Sequence, residues 1–326
     1  MRPIIASPSK EDPILLGVSQ CLLGQRVRYD GGHAQDPFVS GLPHDCVAFI
    51  PVCPEVELGM GTPRPTIHLV DEGQGAGVRL LCPSTGEDHT DAMKAYAKER
   101  IEALKAEQLD GYIFKRRSPS CAIEGLPIYR GDAPLELTGR GLFADALMTA
   151  CPSLPVEDEG GLSEASRRWH FITRIFCRFR WRHMAHSGLT RGKLVAFHTR
   201  HKLLLLSHHE AGYRRLGAIV GGMNRDNEQQ VFSDYKEAFH DCLSRAPSVK
   251  SHVNVLMHAM GHLKRDLSPE DKKALVTAID DYRQGLCERD VPMTLLQRDI
   301  ERFDVSYLAE QRYFSPDPKA LTLRSV

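Results

Sequence analysis

The sequence predicts an α/β domain on a doubly wound, mostly parallel, Rossmann-like sheet over residues 1–160, followed by an all-α domain over 161–326. Three observations predict it. Apolar runs alternate with helical patterns through the first half, in the order strand, helix, strand. The strand signal stops at Glu157-Asp158-Glu159-Gly160-Gly161, the expected boundary. Beyond it the apolar spacing is helical throughout.

The first strands are the apolar runs that begin at Ile14 and at Val47. Residues 56–87 are rich in Gly, Pro and Thr, and Ile67–Val70 and Gly77–Leu81 are expected to pair as a hairpin. Gly73-Gln74-Gly75-Ala76-Gly77 opens no crossover helix. It therefore reads as a turn, and no nucleotide cofactor is expected. Asp91–Gln108 is an amphipathic helix capped at Thr90 or Asp91, with Met93, Tyr96, Ala97, Ile101 and Leu104 on one face. A strand at Gly111–Lys115, a helix at Leu142–Thr149 and a strand at Leu154–Glu157 complete the first domain. Helices are then expected at 163–183, 190–208, 210–222, 226–244, 248–264, 268–286 and 291–313. Ser268-Pro269-Glu270-Asp271 marks one start with an N-cap, a first-position Pro and first-turn acids.

Apolar residues at 42% and charged residues at 26% describe an ordinary globular chain. There is no run of eighteen apolar residues, so no membrane span is expected. The first ten residues lack a basic segment followed by an apolar one, so a cytoplasmic location is expected rather than secretion. Nine irregularly spaced cysteines do not form a disulfide framework and fit metal binding or catalysis in a reducing compartment. The net charge of zero conceals a split. Residues 1–160 carry 15 basic against 23 acidic residues, and 161–326 carry 27 against 19. A basic second half suggests a polyanionic partner, the alternative being a helical domain that is merely basic.

Cys21, Cys53 and Cys121 each lie where an apolar run meets a turn. On parallel strands all three reach the carboxyl edge of one sheet, where open α/β folds hold ligands. Three thiolates without a fourth suggest a metal or cluster site with one position open. Cys82, Cys151, Cys177, Cys242 and Cys287 lack such neighbours and read as packing residues. Cys46, just ahead of a strand, is left as a possible ligand. Glu55 is placed to act as a general base and Ser118 as a donor or relay; the alternative roles are a first-turn carboxylate and a turn cap. Arg28, Arg64, Lys115, Arg116 and Arg117 flank the thiols and suit an anionic cluster or phosphate. In the second half, Arg178 and Arg182 alternate with aromatic residues, and His198, Arg200, His201 and Lys202 follow. Arginines among aromatics suit RNA contact by phosphate pairing and base stacking, although on a helix the aromatics are also core candidates. His201, His208 and His209 lack the thiol or carboxylate spacing of a metal site.

Val18-Ser19-Gln20-Cys21-Leu22-Leu23-Gly24 with Val27-Arg28-Tyr29-Asp30-Gly31, Pro51-Val52-Cys53-Pro54-Glu55 with Pro63-Arg64, and Ser118-Pro119-Ser120-Cys121 resemble the thiouracil desulfidase family in order and spacing. The resemblance covers roughly residues 12–160 and departs at Ala122, where many members carry Gly. Residues 194–202 and 307–314 resemble a domain often fused to that family, and such fusions are similar to bacterial tRNA 4-thiouridine desulfidases. The resemblance implies a 4Fe–4S cluster held by Cys21, Cys53 and Cys121, with its fourth iron left for the substrate's thiocarbonyl sulfur. It further implies that Glu55 activates water and Ser118 assists, giving uridine and sulfide without net redox change. Two other readings remain open. One is a desulfidase of free thiouracil or a thionucleoside. The other is a non-enzymatic RNA-binding protein whose thiols, with Cys46 or a histidine, hold structural zinc.

Overall fold

The computed structural model describes residues 7–73, 77–131 and 133–315. The chain divides into two compact units, 1–175 and 176–326. In the first, the described strands are β1 (Ile14–Ser19), β2 (Val47–Val52), β3 (His68–Asp71), β4 (Val78–Leu81), β5 (Gly111–Phe114), β6 (Leu126–Arg130), β7 (Ala133–Gly139) and β8 (Val156–Asp158). Its helices are α1 (Pro37–Ser40), α2 (Pro54–Glu57), α3 (Thr90–Ala106), α4 (Leu142–Ala150) and α5 (Glu159–Ser163).

The main sheet has the order β2-β1-β5-β8, and every pairing in it is parallel. The chain steps from β1 out to β2, then returns past β1 to β5. The strand order therefore reverses at β1, the switch point where such sheets leave a crevice at their carboxyl ends. β1 is paired on both sides, which explains its nearly unbroken apolar run. Gly17 lies under the Tyr112 ring, where a Cβ would stand 2.2 Å from a ring carbon, so the strand tolerates no side chain there. Met93, Ala97, Ile101 and Leu104 of α3 pack with Phe143, Ala144 and Leu147 of α4 and with Tyr112 and Phe114. Tyr96, expected on the same face, is only partly buried, and its hydroxyl donates to Glu57 at 2.8 Å.

The hairpin expected between residues 67 and 81 forms as antiparallel β3 and β4. Its partner was not foreseen. Residues 126–139 form a second hairpin, β6 and β7, whose β6 pairs in parallel with β3. The resulting sheet, ordered β4-β3-β6-β7, is assembled from two insertions. One follows β2 and the other follows β5, both at the carboxyl edge of the main sheet.

The strands end with β8, close to the expected boundary, but the compact units divide later, between Ile175 and Phe176. That point lies inside α6 (Ala165–His186). Phe171 and Ile175 of its first half pack against Gly111 of β5, which keeps those turns with the sheet.

The second unit continues with α7 (Arg191–His208), α8 (Glu210–Gly221), α9 (Glu228–Ser244), α10 (Val249–Leu263), α11 (Pro269–Gln284), α12 (Asp290–Arg302) and α13 (Ser306–Ala309). The Ser268 cap accepts from the Asp271 N–H as its sequence suggests. The single helix expected over 291–313 is broken: Asp304 takes φ 48°, a left-handed conformation that ends α12 before α13 restarts. Gln311, after α13, accepts from the Leu203 N–H and donates to the Thr199 carbonyl, so its buried amide bridges one turn of α7. No described helix is long and apolar enough to cross a membrane.

Candidate functional site

The carboxyl ends of β1, β2 and β5 share one edge, and a turn carrying a cysteine follows each. Cys21 lies in the 3-10 turn Gln20–Leu23 after β1. Cys53 occupies the N-cap of α2 directly after β2. Cys121 lies in the loop beyond β5. All three are free thiols and line one cavity of about 440 Å³. The second sheet supplies part of the cavity wall through His68 of β3 and Tyr129 of β6.

Local hydrogen bonds fix each turn. The Cys53 N–H donates to Glu57 Oε1 at 3.0 Å, while Glu57 Oε2 accepts from Tyr96 and lies 3.1 Å from Arg100 Nε. α2 is thereby tied to α3. The Cys121 loop is fastened to the start of α4. Leu142 N–H donates to the Pro119 carbonyl, and the Phe143 and Ala144 N–H groups both donate to that of Ser120. Gly141 permits this approach, since a Cβ there would lie 2.4 Å from the Ser120 carbonyl carbon. Arg117, just before the loop, adopts φ 59°, a strained conformation for a residue with a Cβ.

Glu55 is the only acidic side chain among the described residues lining the cavity. Its Oε2 accepts from Arg64 Nε at 2.8 Å and from Arg64 Nη2 at 2.5 Å. Its Oε1 accepts from Ser120 Oγ at 2.9 Å and from Ser118 Oγ at 3.3 Å. Arg64 is itself anchored, because Nη1 donates to the carbonyls of Val27 and Gly61. Ser118 Oγ accepts the N–H groups of Ser120 and Cys121, each at 3.2 Å. Glu55 and Ser118, chosen from sequence, therefore meet. Ser120, fully buried, had no assigned role; the Ser-x-Ser-Cys spacing was the available signal.

Burial pushes the Cys21 thiol up to about 11, with Cys53 adding to the rise and the Lys115 ammonium opposing it. Burial also raises Cys53 and Cys121, and at Cys121 Glu55, Cys21 and Cys53 all oppose a thiolate while a Ser19 hydrogen bond favours it. Three thiolates in this pocket repel one another, a cost that bound cationic iron would relieve.

Among the described residues, no three His, Cys, Asp or Glu side chains are gathered around a single ion position. A cuboidal cluster binds one thiolate per iron, so its ligands stand wider apart. The donor set of three free cysteines at a shared cavity fits such a cluster. Cys46 cannot join them, because it precedes β2 while Cys53 follows it, roughly 20 Å away at strand rise.

The basic residues selected from sequence separate into groups. Arg28, Lys115, Arg116 and Arg117 line the cavity with Arg64. Arg64, offered as a phosphate ligand, is instead buried in the Glu55 ion pair, its side chain 4% exposed. Lys115 is paired with Glu159, which also accepts the Arg116 N–H at 2.8 Å. Arg28 lies 3.6 Å from Asp30 and over the Tyr29 ring.

In the helical unit the expected RNA contacts are corrected by burial. His198 and His201 are buried; Nδ1 of His198 meets the Tyr235 hydroxyl at 3.1 Å, and His201 Nδ1 meets the Phe197 carbonyl at 2.7 Å. Phe176, Phe179 and Trp181 are core, with Trp181 stacked on Tyr235, so these rings are not stacking platforms for bases. Arg178, Arg182 and Lys202 are half-buried, and Arg200 pairs with Glu310 at 3.3 Å. His208 and His209 also have structural partners, in the Arg245 carbonyl and the Gly212 N–H.

Residues 16–159 match the model of a family described as 2-thiouracil desulfurase, and residues 202–318 match a family of unknown function, DUF1722. The chain is 30% identical over 154 residues to an uncharacterized protein of Escherichia coli, YbgA, spanning 47% of this chain and 91% of that protein. It is 32% identical over 138 residues to an uncharacterized protein of Bacillus subtilis, YbbK, spanning 41% and 89%. A solved structure titled [4Fe-4S]-dependent thiouracil desulfidase TudS shares 28% identity, with a TM-score of 0.35 over 48% of this chain and 97% of that one.

Proposed function

The chain belongs to the 2-thiouracil desulfurase family, and from that premise we propose that it removes sulfur from 4-thiouridine in tRNA, giving uridine and sulfide. In this reading residues 1–160 are catalytic and 161–326 bind tRNA. The observation that carries it is one cavity holding three free thiols beside a single carboxylate, Glu55. Cys21, Cys53 and Cys121 would hold a 4Fe–4S cluster. When bound, that group supplies a Lewis-acidic iron that draws electron density from the thiocarbonyl sulfur.

Glu55 accepts a proton from water as the water oxygen adds to the ring carbon bearing sulfur. The Ser118 bond, at 3.3 Å, is the longest on this carboxylate and the one most readily exchanged for water. Arg64 and Ser120 hold the carboxylate in place meanwhile. The carbon–sulfur bond then breaks: thione and water become carbonyl and hydrogen sulfide, and no electrons change hands. The charge pattern supports an RNA substrate. Among the described residues five Arg and Lys side chains line the cavity; Arg64 pairs with Glu55, Lys115 with Glu159 and Arg28 with Asp30, and Arg116 and Arg117 stand beside them. The basic second half adds the longer-range attraction.

Filter binding across a salt series tests the RNA contact. Affinity for tRNA falls steeply between 50 and 200 mM salt if phosphates carry it. A flat response ends the RNA reading and leaves the second one, a desulfidase of free 2-thiouracil or a thionucleoside, which the family description favours.

A further inference from the structure

The second sheet sends two aromatic side chains, His68 and Tyr129, to the cavity that holds the cysteines, and nothing in the desulfidation step uses them. His68 and Tyr129 stand on neighbouring strands β3 and β6, their rings 4.8 Å apart and stacked at 25°. Both rings line the cavity, alongside their strand neighbours Leu69 and Leu126. Both rings are partly exposed. No side-chain hydrogen bond among the described residues holds either imidazole or phenol. A pair present only to stabilise the sheet would do so wherever it stood. This pair stands on the same cavity as Glu55 and the three thiols.

We infer that the stacked His68–Tyr129 pair is the platform that positions the base, which restricts the substrate class to planar heteroaromatic thiones. The inference rests on the desulfidase reading and adds a specificity determinant to it. A pyrimidine is planar and polarisable, so it stacks on an aromatic face whatever its ring substituents. The cavity volume, about 440 Å³, falls in the range of small-ligand sites. Stacking also limits the ring to one plane, which narrows where its sulfur-bearing carbon can lie relative to Glu55. His68 and Tyr129 are positioning residues: they orient the base and exchange no proton with it.

The test uses the full-length, cluster-loaded protein and 4-thiouridine as the probe. Equilibrium dialysis reads binding, sulfide release reads turnover, and iron content and thermal melting control for folding. Tyr129→Leu keeps the apolar volume and removes the aromatic face, while Tyr129→Phe keeps the face. The expected result is roughly tenfold weaker binding and a matching rise in KM for Tyr129→Leu, with Tyr129→Phe within about twofold of wild type. His68→Leu weakens binding in the same direction. Wild-type affinity in a folded Tyr129→Leu protein overturns the inference, as does a Tyr129→Phe protein that binds as poorly as Tyr129→Leu. Absence of binding by the wild type overturns it too. A wild-type protein that binds 4-thiouridine through this face but releases no sulfide upholds the platform and removes the desulfidase reading.

Discussion

The two units place their buried polar groups to opposite ends. In the α/β unit some of them converge: Arg64 and Ser120, with Ser118, reach Glu55 from two loops and meet at the edge of a cavity. In the helical unit they are dispersed. Nδ1 of His198 pairs with Tyr235, Nδ1 of His252 with Tyr313 and Nδ1 of His201 with a carbonyl of its own helix, while His201 Nε2 lies buried without a hydrogen-bond partner. Convergence on a solvent-reaching cavity leaves groups available to a substrate, whereas pairwise closure uses them up. Histidines and arginines are thus a poor guide to chemistry until their burial is known.

The strongest way to break this contrast is to remove the thiols. Cys21→Ala, Cys53→Ala and Cys121→Ala should each reduce sulfide release to background and lower iron and acid-labile sulfide together. Cys46→Ala and Cys242→Ala should leave both unchanged, since one lies at the far end of β2 and the other is buried in α9. Iron loss in the Cys46 variant would show that the cavity is not the site.

Next in size is Glu55→Gln. It should lower kcat by about 10²–10⁴ while iron content holds. Arg64 then loses its buried counterion, so stability should drop by roughly 3–5 kcal/mol in a denaturant melt. Ser120→Ala should cost less, about tenfold in kcat, because Ser118 and Arg64 still hold the carboxylate.

Acid should separate the units through stability rather than activity. Burial lowers His198 to about 4 and His252 to about 3, and holds His201 well below its ordinary value. These imidazoles fold neutral and take up protons on unfolding once pH drops below about 6.5. Their contribution is intact above that pH and disappears as pH falls toward 4. At pH 5 the loss is about 2 kcal/mol for each of His198 and His252. No described histidine of the α/β unit is buried. Melting followed by hydrogen exchange should therefore show the helical unit opening first between pH 6.5 and 5. Simultaneous opening of both units would contradict the contrast.

What the sequence disclosed follows the same division. The parallel strands, their terminal cysteines and most helix limits were legible, because apolar period and turn residues are local signals. The second sheet was only half legible. The β3–β4 hairpin showed, but β6 contains Pro127 and joins β3 through a parallel pairing across more than fifty residues. Arg64 was legible as a candidate but not as the partner of Glu55, and Ser120 was not singled out, for a related reason: the pairing with Glu55 is made by tertiary structure. His198 and His201 read as surface cations beside Arg200 and Lys202, and only helix packing turns them inward.

The most direct measurement is nucleoside analysis of tRNA incubated with anaerobically reconstituted protein, with sulfide measured in the same samples. The account predicts that 4-thiouridine declines, uridine rises to match and one sulfide appears per nucleoside converted. Unchanged 4-thiouridine in tRNA that the protein demonstrably binds would contradict it.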